Sequence, residues 1–304
     1  MRFRSILAGA VVAFSVVAPA TAADTVKIGF ITKFPVPFFA TMENAAKEYA
    51  AANPGIEIVF GQGASATDIE GQIAQIESMV TQGVKGIAIT PVDPTVATAL
   101  DKAIGAGVKV VLMDNDIPGW TGRTALATTD NYNAGKIAGE YLKSVLKPGD
   151  TMGILEGVPG VPSLDDRVKG MKEGLGGLDV KIVGTGATDC TEEKGINVAQ
   201  DILTANPDLK SIYAACGPPA AGAAQAIKNA NLAGKVILVG FDFCCGEAEA
   251  LEADIENATV AQFPTKMASL GVEALVKAIR GEKVESLIDS GAALVTKANM
   301  AEFK

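Results

Sequence analysis

The sequence predicts an α/β fold in which two doubly wound, Rossmann-like parallel sheets form two lobes. Short apolar, β-branched runs alternate with amphipathic stretches along nearly the whole chain, which is typical of parallel sheets covered by helices on both faces. Hydrophobic residues make up 48% of the chain but aromatic residues only 5%, which suits Val and Ile strands beneath Ala- and Leu-bearing helices. The predicted strands are too numerous for one ordinary sheet, so two sheets of about four to six strands are favoured.

In the first half, strands and helices follow one another in strict order. The opening strand ends at a Pro-containing turn, and a helix from Phe38 to Ala52 stops at Asn53-Pro54-Gly55. Thr67 to Glu70 fits a capping box, which opens a helix with the apolar face Ile69, Ile73, Ile76 and Val80. The predicted strands of this half are Val26 to Thr32, Ile56 to Phe60, Gly86 to Thr90 and Lys109 to Asp114.

The second half repeats this scheme after a boundary that the pattern places near Thr129. A helix is predicted from the apolar stripe Ala134, Ile137, Ala138, Tyr141, Leu142 and Val145. The predicted strands are Thr151 to Leu155, Lys181 to Gly184, Ser211 to Ala215, Val236 to Phe241 and Ala258 to Gln262.

The amino terminus predicts an export signal over residues 1–23. Arg2 and Arg4 precede an uncharged apolar stretch, Ile6 to Val17, and Ala20-Thr21-Ala22 supplies the small residues that signal peptidase requires. The apolar stretch is too short to cross a bilayer core of about 30 Å as a helix. We therefore expect cleavage after Ala22 or Ala23, a periplasmic mature chain, and no direct membrane insertion.

Charge and histidine content exclude several classes of function. The formal charge is −9, which argues against nucleic acid and polyanionic surfaces as partners because both require concentrated basic residues. The chain has no histidine, which removes Ser-His-Asp and Cys-His catalysis and most zinc sites. We expect a monomeric, non-catalytic protein without cofactor or metal.

The candidate binding residues follow the predicted strands, because ligands of open parallel sheets bind beyond the carboxyl ends of the strands. Aromatic faces pack on the C–H faces of a sugar, and the polar groups can exchange hydrogen bonds with its hydroxyls. Acids and bases are mixed, which favours a small neutral sugar or polyol. The candidates are Lys33, Phe38, Phe39, Asp114, Asn115, Arg167, Cys190, Cys216, Asp242 and Gln262.

Several candidates also have purely structural explanations. Phe38 and Phe39 could begin a helix on its core side, and Asp114 could be a turn residue or a helix cap. Arg167 could pair with Asp165 or Asp166 on an exposed helix face. Lys33 could be an ordinary surface lysine.

An ordered set of motifs resembles a known family. These are Lys27-Ile28-Gly29-Phe30, Pro37-Phe38-Phe39, Leu112-Met113-Asp114, Thr129-Asp130-Asn131, Asp166-Arg167-Val168-Lys169-Gly170, Val239-Gly240-Phe241-Asp242 and Ala261-Gln262. In this order, behind an export signal, they resemble the ribose/galactose-type periplasmic sugar-binding proteins, the type I periplasmic binding proteins of ABC sugar transporters. The resemblance covers essentially the whole mature chain.

The resemblance implies two lobes joined by three hinge crossings, which close on a sugar and then present it to a membrane permease. The first lobe would take residues 24–129 plus 263–291, and the second residues 130–262 plus 292–304. Phe38, Phe39, Asp114, Asn115, Arg167, Asp242 and Gln262 stand where the family contacts sugar, and Lys33 matches a lysine of arabinose-type members. Val36 and Asn115 depart from common Asn and Arg residues, and Cys190 and Cys216 replace an aromatic residue and an Asn, so ribose itself is not implied.

The four cysteines all lie in the second half, on strand-to-helix loops. An even number of cysteines in an exported protein favours disulfides. A bond between the adjacent Cys244 and Cys245 would close a strained ring, so we expect Cys190 and Cys216 each to pair with one of that couple. A four-thiolate zinc site and a reactive thiol are disfavoured alternatives, because the close paired spacing and the histidine partner are missing.

Three other functions are compatible with such lobes. A sensory sugar receptor would address a chemoreceptor instead of a transporter. A secreted carbohydrate-acting enzyme could use Asp114 and Asp242 as an acid/base pair. A transcription regulator would need a helix-turn-helix where the export signal stands.

Overall fold

A computed structural model of the chain describes residues 25–303. The predicted export signal lies outside these residues. The strands are β1 Val26–Thr32, β2 Ile56–Gln62, β3 Gly86–Ile89, β4 Lys109–Met113, β5 Ala125–Thr128, β6 Thr151–Glu156, β7 Lys181–Ala187, β8 Ser211–Ala214, β9 Ile237–Asp242, β10 Ala258–Gln262, β11 Leu287–Asp289 and β12 Ala292–Val295. The helices are α1 Pro37–Ala52, α2 Ile69–Thr81, α3 Ala97–Gly105, α4 Asn131–Val145, α5 Pro162–Gly174, α6 Glu192–Ala205, α7 Gly217–Asn229, α8 Glu247–Glu252 and α9 Pro264–Ile279.

The strands form two six-stranded sheets, as the composition and the strand number predicted. The first has the order β11-β5-β4-β3-β1-β2 and the second β12-β10-β9-β8-β6-β7. All neighbouring strands are parallel except β12, which runs antiparallel to β10. The carboxyl ends of the parallel strands in each sheet therefore meet at a common edge.

Each sheet carries helices on both faces, which is the doubly wound arrangement. In the first sheet, α1 and α9 bury Ala46 and Leu275 against one face, and α2 and α3 bury Ile76 and Leu100 against the other. In the second sheet, α4 and α5 cover one face, and α6 and α7 cover the other. The apolar helix faces seen in the sequence thus pack on apolar strands. Burial of this apolar surface stabilises the packing of the helices on each sheet.

The chain passes between the two sheets three times. The passages lie between β5 and α4, between β10 and α9, and between β11 and β12. The helix α9 therefore packs on the first sheet although it follows the last parallel strand of the second.

Two details differ from the sequence-based predictions. The cap of α2 is Asp68 and not Thr67, because the Asp68 carboxylate accepts a hydrogen bond from the Gly71 amide at 3.0 Å. The short strands β5, β11 and β12 were not predicted, since three or four residues carry too little periodicity to be recognised. Within residues 25–303, no helix is long and apolar enough to cross a membrane.

The close packing of α4 on α5 depends on glycine. A Cβ atom at Gly135 would overlap the backbone carbonyl of Arg167, and backbone cannot swing aside as a side chain can. We predict that Gly135→Ala lowers the free energy of unfolding by about 2 kcal/mol or more, since overpacking forces the two helices apart. Urea denaturation measures this change. Gly105→Ala is the matched control: it also lies in a helix, but its added methyl group meets no atom within 4 Å, so it should not destabilise. Equal losses in both variants would contradict the prediction.

Candidate ligand-binding site

A cavity lies between the carboxyl edges of the two sheets and is lined by residues of both. All of the candidate residues taken from the strand ends line this cavity: Lys33, Phe38, Phe39, Asp114, Asn115, Arg167, Cys190, Cys216, Asp242 and Gln262. The rule that parallel strands present their carboxyl ends together explains why residues so distant in sequence meet here.

Arg167 is held rigidly at the base of the cavity. It projects from α5, and its Nε donates to Asn131 Oδ1 at 2.9 Å while Nη1 donates to the Ala215 carbonyl at 2.9 Å. Nη1 also lies 3.3 Å from Asp242 Oδ1, and the guanidinium carbon stands 3.9 Å from the centre of the Phe241 ring. The alternative of an exposed pair with Asp165 or Asp166 is therefore wrong, because Arg167 is only 3% exposed and its acidic partner comes from β9.

Asp242 is the centre of a buried hydrogen-bond network. Its Oδ2 accepts from the Gly217 amide at 2.9 Å, and Oδ1 accepts from Gln262 Nε2 at 2.6 Å. Gln262 Oε1 is buried and has no hydrogen-bond partner among the described residues. The network therefore holds Gln262 Oε1 beside the cavity as an unused acceptor. Leaving a buried acceptor without a hydrogen bond lowers the stability of the folded protein.

Lys33 and Asp114 are buried charges without direct partners. Each is only 8% exposed, yet within residues 25–303 neither side chain makes a hydrogen bond or an ion pair within 4.0 Å. Burial lowers the pKa of Lys33 and raises the pKa of Asp114, and the attraction between the two opposes both shifts. Burying a charged group without hydrogen bonds costs folding free energy, and a ligand that supplies those hydrogen bonds offsets the cost.

The backbone fixes the position of the Asp114 carboxylate. Asp114 has a φ of 64°, in the left-handed region that Asp tolerates better than most residues. Its carbonyl accepts from Thr128 Oγ1 at 2.6 Å, which ties the loop after β4 to β5. The explanation as a helix cap is not needed, since no helix begins at this residue.

Aromatic rings form the wall on the side of the first sheet. Phe38 and Phe39 begin α1 and meet edge to face, with ring centres 5.3 Å apart, and Phe34 meets Phe39 in the same way at 5.4 Å. Phe38 and Phe39 also belong to the hydrophobic core. Phe38 and Phe39 therefore both line the cavity and form the core side of a helix start.

The disulfide pairing differs from the expected one. Cys190 and Cys216 are bonded to each other, with Cα atoms 6.1 Å apart, and Cys244 and Cys245 are free. The expected pairing of each with Cys244 or Cys245 is wrong, and strand order explains this for Cys190 but not for Cys216, since β8 lies next to β9. The strand before Cys190, β7, lies two positions from β8 but three from β9, where Cys244 and Cys245 follow. A disulfide in this group of cysteines is nevertheless confirmed.

The free Cys244 thiol is not an activated nucleophile. A side-chain hydrogen bond with Cys245 and burial raise the pKa of the Cys244 thiol above its usual range. Thiolates, not thiols, attack electrophiles and bind metals. No group of three or more metal-ligating side chains occurs within residues 25–303, as far as His, Cys, Asp and Glu are concerned.

Several lining residues were not among the candidates. Ser163 donates to Asn115 Oδ1 across the cleft, and Asn131, which does not itself line the cavity, orients Arg167 by accepting from its Nε. The apolar ones are Phe34, Val36, Ala66, Val158, Val161, Leu164 and Pro218. Ser163 stands in the first turn of α5, just after a strand-to-helix connection, and could have been found by the same rule, whereas apolar lining residues cannot be told from core residues in a sequence.

Glu247 begins α8, two residues after the cavity-lining Cys245, and it makes folding stability depend on pH. Its side chain is buried, and burial raises its pKa to about 7. As pH rises from about 4.5 to 7, the unfolded chain loses this proton before the folded chain does, so stability falls over that range. We predict that Glu247→Gln stabilises the protein on the order of 2 kcal/mol at pH 8 but little at pH 4.5, measured by thermal unfolding. Glu249→Gln, an exposed position on the same helix, should show no such pH dependence. An identical gain at both pH values would refute the role of Glu247.

Comparisons with known proteins place this geometry among binding proteins. A family model described as "Periplasmic binding protein domain" matches residues 28–283. A D-ribose/D-allose-binding protein of Pseudomonas aeruginosa is 32% identical, over 82% of this chain and 80% of the relative. A solute-binding protein of Agrobacterium vitis solved with bound D-fucose is 30% identical, with a TM-score of 0.86, over 90% of this chain and 96% of that one. A Burkholderia graminis solute-binding protein in complex with D-arabinose is 29% identical, with a TM-score of 0.85, over 92% of this chain and 98% of that one.

Proposed function

We propose, from the premise that the chain belongs to the periplasmic binding protein family, that it binds a small monosaccharide or polyol between two lobes and delivers it to an ABC importer. The matched proteins are solute-binding proteins and not enzymes, so the chain is a binding protein. The acid/base pair of Asp114 and Asp242 is accordingly dropped. Asp242 is in any case engaged by Arg167, Gln262 and the Gly217 amide.

The observation that carries this proposal is the unused hydrogen-bonding capacity of the cavity. Lys33 offers donors, Asp114 and Gln262 Oε1 offer acceptors, and the Asn115 Nδ2 group can donate, since its Oδ1 already accepts from Ser163. Lys33 and Asp114 are nearly buried and line the cavity, so the hydroxyls of a bound ligand would supply hydrogen bonds to both. Two acids, Asp114 and Asp242, balance Lys33 and Arg167 in charge, which favours a neutral polyhydroxyl ligand over an ion.

Closure of two lobes is the proposed binding mechanism. We take the moving bodies to be residues 24–129 plus 263–291 and residues 130–262 plus 292–304, with the hinge at the three passages between the sheets. Ser163 and Asn115 join the two sides of the cleft by a hydrogen bond, and Cys244 packs against the core cluster of the first sheet. A ligand that contacts both sides would favour this closed arrangement by its differential affinity for it.

The family is periplasmic, and the partner follows from the importer role. We propose that residues 1–23 are the export signal, that cleavage occurs near Ala22 or Ala23, and that a membrane permease recognises the closed form. The ligands named for the relatives include D-ribose, D-allose, D-arabinose and D-fucose, and they support a small monosaccharide or polyol as the ligand of this chain.

A ligand screen tests the proposal. The mature chain is screened by thermal shift against pentoses, hexoses, deoxy sugars and alditols, and each hit is measured by isothermal titration calorimetry. We expect a ligand at a concentration of about 100 times its dissociation constant to stabilise the folded protein by about 2.7 kcal/mol. The ligand should be recovered unchanged after long incubation. Absence of binding by every compound, or conversion of the bound compound, would overturn the proposed function.

A further inference from the structure

The cavity has two chemically different sides. The side chains with unused hydrogen-bonding capacity are Lys33 after β1, Asp114 and Asn115 after β4, and Gln262 at the end of β10. The side formed after β6, β7 and β8 is mostly apolar, apart from Ser163 and Arg167 of α5. We call the apolar part of this side the disulfide wall, and it consists of Val158, Val161, Leu164, Pro218 and the Cys190–Cys216 disulfide.

The disulfide wall offers almost no hydrogen bonds to a ligand. A disulfide has no donor, and its sulfurs are weak acceptors, while Pro218 lacks an amide hydrogen. The Gly217 amide beside the disulfide is occupied by Asp242 Oδ2 at 2.9 Å. The carbonyl of Cys216 accepts from the Ala220 amide at 3.2 Å, and the carbonyl of Val161 accepts from the Leu164 amide at 3.0 Å.

The disulfide is held in contact with this apolar surface and is not free to turn away. A Cβ atom at Gly157 would lie 3.0 Å from Cys190 Sγ and would overlap the Leu164 side chain, so sulfur and leucine are neighbours over this glycine. Cys216 is only 3% exposed. A ligand that fills the cavity therefore meets carbon and sulfur along this side.

We propose that the disulfide wall determines specificity by selecting a deoxy sugar, that is, a sugar with a carbon lacking its hydroxyl group at the edge that faces Cys190 and Cys216. This inference rests on the proposed function and deepens it. A hydroxyl pressed against the wall would lose its bonds to water and gain none, whereas a methyl or methylene group loses nothing. The polar lining residues Asp114, Asn115 and Gln262 bind the remaining hydroxyls. The ligand is therefore oriented with its apolar edge toward the disulfide wall.

Matched pairs of sugars test this proposal on the wild-type protein. Calorimetry compares D-fucose with D-galactose, L-rhamnose with L-mannose, and 2-deoxy-D-ribose with D-ribose, the members of each pair differing by one hydroxyl. We expect the deoxy member of at least one pair to bind about ten-fold tighter or more. Equal or tighter binding of the parent in every pair overturns the proposal and leaves the proposed function intact. Absence of binding by any sugar or polyol overturns the proposed function and this inference together.

Two double variants separate the polarity of the wall from the cross-link. Cys190→Ser with Cys216→Ser removes the disulfide and adds two hydroxyls, whereas Cys190→Ala with Cys216→Ala removes the disulfide and leaves the wall apolar. We expect the serine variant to lose most of the preference for the deoxy sugar and the alanine variant to keep it. Loss of the preference in both variants would show that the cross-link, not the apolar surface, matters, and would contradict the proposal. The wild-type comparison decides the matter even if a variant does not fold.

Discussion

Asp114→Asn is expected to weaken ligand binding about 100-fold while leaving the unliganded protein folded and nearly as stable. The carboxylate is 8% exposed and makes no hydrogen bond with any residue from 25 to 303. A charge-assisted hydrogen bond to a ligand hydroxyl is therefore lost on substitution, and such bonds contribute about 1.5 to 3 kcal/mol each. Asn keeps the size of Asp and tolerates the φ of 64°, so the loop geometry is retained.

The stability of the unliganded variant distinguishes a binding residue from a structural one. Removing the charge removes the free-energy cost of burying a carboxylate, but it also removes the attraction between Asp114 and Lys33. These two effects on the stability of the unliganded protein oppose each other. Calorimetry with a ligand from the screen and thermal unfolding without ligand measure both quantities. Asp116→Asn is the control, because Asp116 lies in the same loop but pairs with Arg123 at 2.8 Å outside the cavity. Retention of full affinity in Asp114→Asn would remove Asp114 from the site.

Arg167→Ala is expected to abolish binding and, unlike Asp114→Asn, to lower the free energy of unfolding by about 3 to 5 kcal/mol. Removing one partner of a buried ion pair leaves the other charge uncompensated, and here that charge is Asp242. The substitution also removes the hydrogen bonds to Asn131 and to the Ala215 carbonyl, and the contact with the Phe241 ring. Urea denaturation without ligand measures the loss.

Lysine should not replace arginine at this position. A single ammonium group on a flexible stem cannot reach Asn131, Ala215 and Asp242 with the planar geometry of a guanidinium. We therefore expect Arg167→Lys to be destabilised and to bind weakly. Lys169→Ala on the same helix is the matched control, since its side chain is 67% exposed and its pairing with Asp166 is superficial. A urea midpoint of Arg167→Ala equal to that of the wild type would contradict the structural role assigned to Arg167.

The candidate site could be found from the sequence because one rule of parallel sheets connects local pattern to distant contact. Each strand end is recognisable from a run of apolar residues, and the rule then brings all such ends to one edge. Lys33, Asp114 and Asp242 were identified in this way although they lie far apart in the chain. The rule does not say which polar atoms remain without hydrogen bonds. The hydrogen bonds of the structure show that the Asp242 carboxylate is occupied by Gly217 and Gln262, whereas the Asp114 carboxylate is free to bind a ligand.

The sequence by itself determined the alternation of strands and helices, the number of sheets and the polar candidate residues at the cavity, because these follow from periodicity within short segments. Only the tertiary structure decided the order of strands, and with it the Cys190–Cys216 bond and the pairing of Arg167 with Asp242. Both bring together residues that end or follow strands two positions apart in the sheet, β7 and β8 for the disulfide and β6 and β9 for the ion pair, and no local pattern encodes those positions. The physical reason is that apolar strands are interchangeable in composition, whereas their order is set by how the connecting helices pack on the two faces of the completed sheet.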